Sequence, residues 1–301
     1  MAPVTTHYGI SGPVPFLDVE VSADNRMFLD PHAIRLRHGV DPFAAAANQC
    51  TATFFDEVTA CVGSTTASVR GHGLKLLQRF EEPWETRLGM AAQGFHGHGG
   101  AEDVGAWIWT ALNTDLEALV RIGILRWIED LPLFIEGIDR DITSDITTRI
   151  VFEPLADFTA DMMVRYPQFT AGGHRVGVFS RQVWDSHGGR WTQRNVTLPI
   201  AAGKPLLLVP RHWARPTLLM SAGRYYDTSV LSFAQAERSV ITPRGKVLKT
   251  PKDVLRTQPG LERGRRTNLT VTHRAHTQDA DLVAVFRDFV RTKWGDGPQA
   301  A

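Results

Sequence analysis

The densest run of chemistry-bearing side chains is Glu129, Asp130, Glu136, Asp139, Asp141 and Asp145, the last four within Glu-Gly-Ile-Asp-Arg-Asp-Ile-Thr-Ser-Asp. Carboxylates at this density suit Mg²⁺, which takes one or two carboxylates and fills its other positions with water and phosphate oxygens. Gly137 permits a tight turn that would carry Asp139 and Asp141 toward Asp145. Facing a basic surface, such a group matches metal-assisted phosphodiester hydrolysis. The expected catalytic set is therefore Asp139, Asp141 and Asp145 with Lys204 and Arg211 as phosphate clamps, and Asp141 and Asp145 as the Mg²⁺ ligands. A structural reading competes: Ser144 or Asp145 caps a helix, acids favour a helix N-terminus, and Arg140 and Arg149 pair with them.

A second group is Gly94-Phe95-His96-Gly97-His98-Gly99-Gly100, just before a long periodic segment. Backbone N–H groups at Gly97, Gly99 and Gly100 could cradle a phosphate at the following helix N-terminus. The surrounding pattern is neither a P-loop nor a dinucleotide fingerprint, and two histidines make a poor metal site. The basic run Arg263-Gly264-Arg265-Arg266 is a third phosphate-binding candidate. His273 and His276 are placed on a strand or loop without a third ligand, and no Gly-x-Ser-x-Gly or reactive cysteine setting is found.

These residues sit on an uneven charge distribution. The chain has 33 Lys and Arg against 32 Asp and Glu, a net charge of +1. Residues 1–164 nevertheless carry 11 basic and 23 acidic side chains, whereas 165–274 carry 19 and 5. Trp184, Trp191 and Trp213 are interleaved with the basic residues, the footprint of phosphate contact and base stacking. The expected partner is DNA or RNA; the alternative is that the two charged halves neutralise each other in the fold, in self-association or in an assembly.

Periodicity supplies the frame. Phe16–Val21 and Met27–Leu29 read as a short hairpin around Ser22–Asn25, and Asp41-Pro42 opens a helix running to Val62. Leu74–Phe80 begins another helix extending toward Leu88, and 101–125 is a long one. Leu131–Ile135 reads as a buried strand, and 145–166 as a helix that Pro154 kinks or splits. A three-stranded meander follows at 175–184, 191–198 and 205–209, then helices over 225–239 and 279–293. The expectation is an α+β chain: a mainly helical acidic region over 1–130, then a basic α+β region over 131–301, or one continuous domain. With 43% hydrophobic residues it can bury a large core, and its apolar runs fall short of the roughly 20 residues of a membrane span. The first residues lack a secretory signal, and Cys50 and Cys61 read as reduced core thiols, so a cytoplasmic location is expected.

The order helix, three-stranded meander, helix between Asp145 and Ser239 is similar to that of the restriction-endonuclease fold. The acidic residue on the second strand and the Glu/Gln-x-Lys of the third in that fold have no counterparts here. Asp185 falls in the first turn, and Leu206–Arg211 holds no such triplet. The blocks Leu-Pro-Leu-Phe-Ile-Glu-Gly-Ile-Asp-Arg-Asp-Ile-Thr-Ser-Asp (131–145) and Lys-Pro-Leu-Leu-Leu-Val-Pro-Arg (204–211) resemble an uncharacterised bacterial and phage protein family with no established activity. The functional expectation is a nucleic-acid-interacting protein, specifically a Mg²⁺-dependent nuclease of a defence or mobile-element type. Its rival is a non-enzymatic assembly component with complementary charged halves.

Overall fold

In the computed structural model, which describes residues 2–79, 83–89 and 101–295, the chain is a mixture of helices and antiparallel sheet. It divides into two compact units: Met1–Thr110 with Arg140–Leu218, and Ala111–Asp139 with Leu219–Ala301. Asp130, where the order of elements suggested a boundary, lies inside the second unit.

The first unit is organised by the Pro42–Ala60 helix. Its start follows the sequence signal: the Asp41 carboxylate accepts the Phe43 N–H at 2.9 Å, with Pro42 at the first helical position. The helix buries Ala47, Cys50, Phe54, Phe55 and Val58. Two further helices, Arg140–Ile150 and Phe152–Arg165, break at Val151. Pro154 stands in the first turn of the second, where its missing N–H leaves no helical bond unmade. Because the first begins at Arg140, Ser144 and Asp145 are interior residues and not caps. Ser144 Oγ instead accepts the Leu29 N–H at 2.9 Å.

The strands are β1 (Phe28–Leu29), β2 (Val176–Asp185), β3 (Arg190–Ala201), β4 (Lys204–Pro205) and β5 (Ala214–Arg215). The expected meander forms as a three-stranded antiparallel sheet, β2-β3-β4. Ala202 (φ 50°) and Gly203 (φ 77°) both take the left-handed region, as a two-residue turn matched to strand twist requires. Trp184 faces Trp191 across β2 and β3, and both rings pack on Phe54. The indole N–H groups are satisfied by Thr53 Oγ1 at 3.0 Å and the Leu76 carbonyl at 3.1 Å. Trp184 and Trp213 are fully buried and Trp191 is half-buried, so these tryptophans belong to the core rather than to a stacking surface.

Two expectations for this unit are corrected. Phe16–Val21 and Met27–Leu29 do not pair with each other: Phe16 bridges Pro210, and β1 pairs antiparallel with β5. The third meander strand ends at Pro205, after which Leu206–Val209 runs extended through the core at 0–2% exposure. Its backbone is satisfied piecemeal: Leu206 N–H donates to Pro199 O (2.8 Å), Leu207 N–H to Glu85 O (2.9 Å) and Leu208 N–H to Thr159 Oγ1 (3.0 Å).

The second unit is helical with one small ribbon. Leu131–Ile135, expected as a strand, holds the short helix Leu131–Phe134, and the segment carrying His273 and His276 is the helix Arg265–His276. Asp281 caps the last helix, Leu282–Trp294, by accepting the Ala284 N–H at 2.9 Å. Leu282, Val283, Phe286 and Val290 face inward, whereas Val285 and Phe289 lie outward. Tyr225, fully buried, shares a 2.6 Å hydrogen bond with Thr272. β6 (Val240–Ile241) and β7 (Val247–Leu248) form an antiparallel pair.

Part of the charge imbalance is met by ion pairs inside the units. In the first, Arg181 pairs with Glu85 at 2.7 Å, and Arg194 with Glu153 and, at 3.0 Å, Asp157. In the second, Arg287 pairs with the fully buried Asp130, and Arg265 with Glu136 at 3.0 Å.

Candidate functional site

Two neighbouring clefts in the first unit share one wall, the indole of Trp84. The first, about 430 Å³, is lined by Val21, Asp24, Trp84, Arg87, Ala202 and Lys204 among others. The second, about 330 Å³, is lined by Trp84, Glu85, Arg149, Arg181, Gln182 and Gln193 with Ser180. Both volumes are those of small-ligand sites. Trp84 is 41% exposed, against the 0% of Trp184 and Trp213.

The local sequence explains why this indole is presented. Pro83 opens a single 3₁₀ turn, Trp84–Thr86, and Arg87 ends it in the left-handed region (φ 58°). The expected helix running toward Leu88 stops at Leu77 instead. Asn25 then holds the segment: its N–H donates to Arg87 O (2.8 Å), its Nδ2 to the same oxygen (2.9 Å), and its carbonyl accepts the Gly89 N–H (3.0 Å). On the other side, Glu85 O accepts the Leu207 N–H.

Arg87 locks the arrangement. It is buried, and its guanidinium donates to three carbonyls: Nε to Val21 O (3.0 Å), Nη1 to Trp84 O (2.7 Å) and Nη2 to Pro205 O (3.2 Å). The planar fork suits three acceptors from three segments, which an ammonium could not span. Burial pulls its pKa below the usual arginine value, partly opposed by the nearby Glu85 and Asp24 carboxylates. Its guanidinium carbon lies 5.7 Å from the Trp84 ring centroid, and Lys204 Nζ lies 5.8 Å from it. Both distances are within cation–π range.

In the second cleft the Glu85 side chain is 2% exposed. Its Oε1 accepts from Arg181 Nε, while Oε2 has no hydrogen-bond partner among the described residues. Arg181 also donates Nη1 to Ser180 O (3.0 Å) and lies over the Phe179 ring. The wall thus offers a guanidinium and two amides beside the exposed part of the indole.

The residues expected from sequence are distributed as follows. Lys204 belongs to the Trp84 site. Arg211 is exposed in the same unit, its N–H bonded to Pro15 O at 3.0 Å. Asp141 and Asp145 stand one turn apart on the Arg140–Ile150 helix of the first unit, while Asp139 belongs to the second. Among the described residues, no three His, Cys, Asp or Glu side chains are grouped to hold a metal ion. Gly97, Gly99 and Gly100 lie outside the described residues. Arg265 is committed internally, to Pro132 O, Glu136 and Ile138 O at 2.9–3.0 Å. Arg263 pairs with Asp227 at 3.3 Å, and Arg266 is exposed.

Trp84, Glu85, Arg87 and Arg181 were not among the expected site residues. The available signal was Pro-Trp-Glu-Thr-Arg itself: an indole between charged residues, behind a proline that interrupts the preceding helical period.

Residues 11–221 match a family described as a domain of unknown function, DUF8370. The match covers more than half of the chain, so the protein belongs to that family, and both sequence blocks that carried the resemblance lie inside it. No curated protein and no solved structure matches the chain.

Proposed function

We propose that this DUF8370 protein binds single-stranded nucleic acid, with a base stacked on Trp84 and the flanking phosphates drawn into the two clefts by Lys204 and Arg181. The observation that carries the reading is the exposed Trp84 indole, locked from behind by Arg87 and flanked by a cationic side chain in each cleft. An aromatic platform beside cations is the sequence-tolerant way to hold a strand, because every base has a stacking face. Gln182 and Gln193 supply amide donors and acceptors for a base edge. We assign the activity to the cytoplasm. In support, Cys50 and Cys61 are both free and buried, and no helix among the described residues is long and apolar enough to cross a membrane.

The test is fluorescence anisotropy of a labelled ten-nucleotide single strand with the full chain. With Arg181 already paired with Glu85 and Lys204 neutralising one phosphate, the logarithm of affinity falls against log salt with a slope of about −0.7. Trp84→Ala weakens binding roughly 5- to 150-fold, the value of one base stack. Undetectable binding at 50 mM salt, or wild-type affinity in Trp84→Ala, overturns the proposal.

A further inference from the structure

The second unit carries a feature that Trp84 does not account for. β6 and β7 form a ribbon whose pairs are Val240↔Leu248 and Ile241↔Val247. Successive strand residues face opposite sides, so each face carries one apolar pair. All four are exposed, at 62% and 49% for the first pair and 70% and 48% for the second, so neither face of the ribbon is covered by its own unit.

The tip is built rather than loose. Thr242-Pro243-Arg244-Gly245 has proline at the second position, and Gly245 N–H donates to Thr242 O at 2.8 Å. Gly245 takes the left-handed region at φ 77°, and the Lys246 N–H closes on Thr242 Oγ1 at 3.0 Å. At the base, Gln235 Nε2 donates to Thr250 O at 2.7 Å. From Arg238 to Lys252 the chain holds no acidic residue and five basic ones. Lys252 is tied to Asp227 O and Ser232. Arg238, Arg244, Lys246 and Lys249 are exposed, and among the described residues none is within ion-pair reach of a carboxylate.

We infer that this ribbon is a duplex-DNA contact, entering the major groove tip first. The placement of charge selects the partner. Arg244 and Lys246 stand at the tip and the aliphatic side chains form the stem. A ribbon entering a bilayer in that order would bury its charges before its apolar residues, whereas a groove walled by phosphates receives a cationic tip and lays sugars against the stem. Size selects the groove. Two strands about 4.8 Å apart, with side chains on both faces, make a body roughly 10 Å thick. That suits a major groove about 12 Å wide and not a minor groove of about 6 Å. The major groove of duplex RNA is too narrow and deep to admit it. The inference is independent of the Trp84 reading, since it rests on other residues in the other unit.

The test is anisotropy of a labelled 20-base-pair DNA duplex with the full chain between 50 and 200 mM salt. Four phosphate contacts give a slope of about −3.6, and Arg244→Gln/Lys246→Gln reduces its magnitude by about 1.8. The same variant weakens duplex binding at least tenfold at 100 mM salt and leaves single-strand binding unchanged. Ile241→Ser/Val247→Ser weakens duplex binding without altering the slope. These exposed positions are outside the core, so thermal unfolding of both variants should match wild type. The inference is overturned if wild type does not bind the duplex, or if the double Gln variant binds it with unchanged slope. It also fails if duplex RNA competes equally, if single-strand and duplex binding fall together, or if the ribbon variants lose only adhesion to phosphatidylserine vesicles.

Discussion

Arg87 gives the sharpest test of how the Trp84 platform is held. The perturbation is Arg87→Ala. Its guanidinium supplies the side-chain donor to Val21 O, Trp84 O and Pro205 O. Trp84 O retains a second partner, the Arg87 N–H at 3.3 Å, so the truncation chiefly strands two carbonyls. Leaving a buried acceptor without its donor costs about 1–3 kcal/mol, and relief from burying a cation offsets part of the sum. The net expectation is a loss of about 2–4 kcal/mol, localised where segments 21–25, 84–89 and 205–207 meet. Native-state hydrogen exchange reads it there. The amides of Asn25, Gly89 and Leu207 each bond across these segments, to Arg87 O, Asn25 O and Glu85 O. Their exchange should accelerate roughly 30- to 700-fold. Arg87→Lys should be nearly as damaging, because an ammonium cannot present a planar three-way fork. Protection at all three amides within about threefold of wild type would refute the clamp.

Further outcomes follow from buried titrating groups. Burial raises the Asp130 carboxyl above its ordinary value, with Arg287 as the largest opposing influence. A raised carboxyl contributes stability on the acid side, lost as pH rises through the folded-state pKa. Arg287→Met removes the opposing cation, so it should cost about 3–5 kcal/mol at pH 7.5 and less once Asp130 is protonated; equal losses in urea unfolding at both pH values would contradict this. Burial, aided by Glu153, pushes the Cys50 thiol up to about 12. Labelling by a thiol reagent at pH 8 should therefore follow unfolding, and labelling of the native protein as fast as a free thiol would contradict the burial.

The parts of the fold that were legible in the sequence are those fixed locally. Asp41-Pro42 marks a helix start through its own cap, and the Gly-rich turns at 185–189 and 201–204 space the meander. Legibility ends where the partner is distant. Phe16–Val21 alternates like a hairpin strand, but Phe16 bridges Pro210, and β1 pairs with β5 nearly two hundred residues on. Leu131–Ile135 is short enough for its apolar run to fit either a strand or a helix. Arg265–His276 is rich in Thr, Asn and His, poor helix formers, and is held by burial of Asn268, Val271, Thr272 and Ala275. The site divides in the same way. Lys204 could be singled out as a basic residue at a strand. Trp84 gains its meaning only from Asn25, Pro205 and Leu207, which are remote in sequence.

Single-strand binding by this protein turns on contact between a base and the Trp84 indole. The direct measurement is photo-crosslinking of the full chain to a single strand carrying 5-iodouridine, with the adduct mapped by peptide mass spectrometry. The predicted result is a principal adduct on the peptide containing Trp84, lost in Trp84→Ala and competed by unlabelled strand. Adducts only on other peptides, with none at Trp84 under saturating binding, would contradict it.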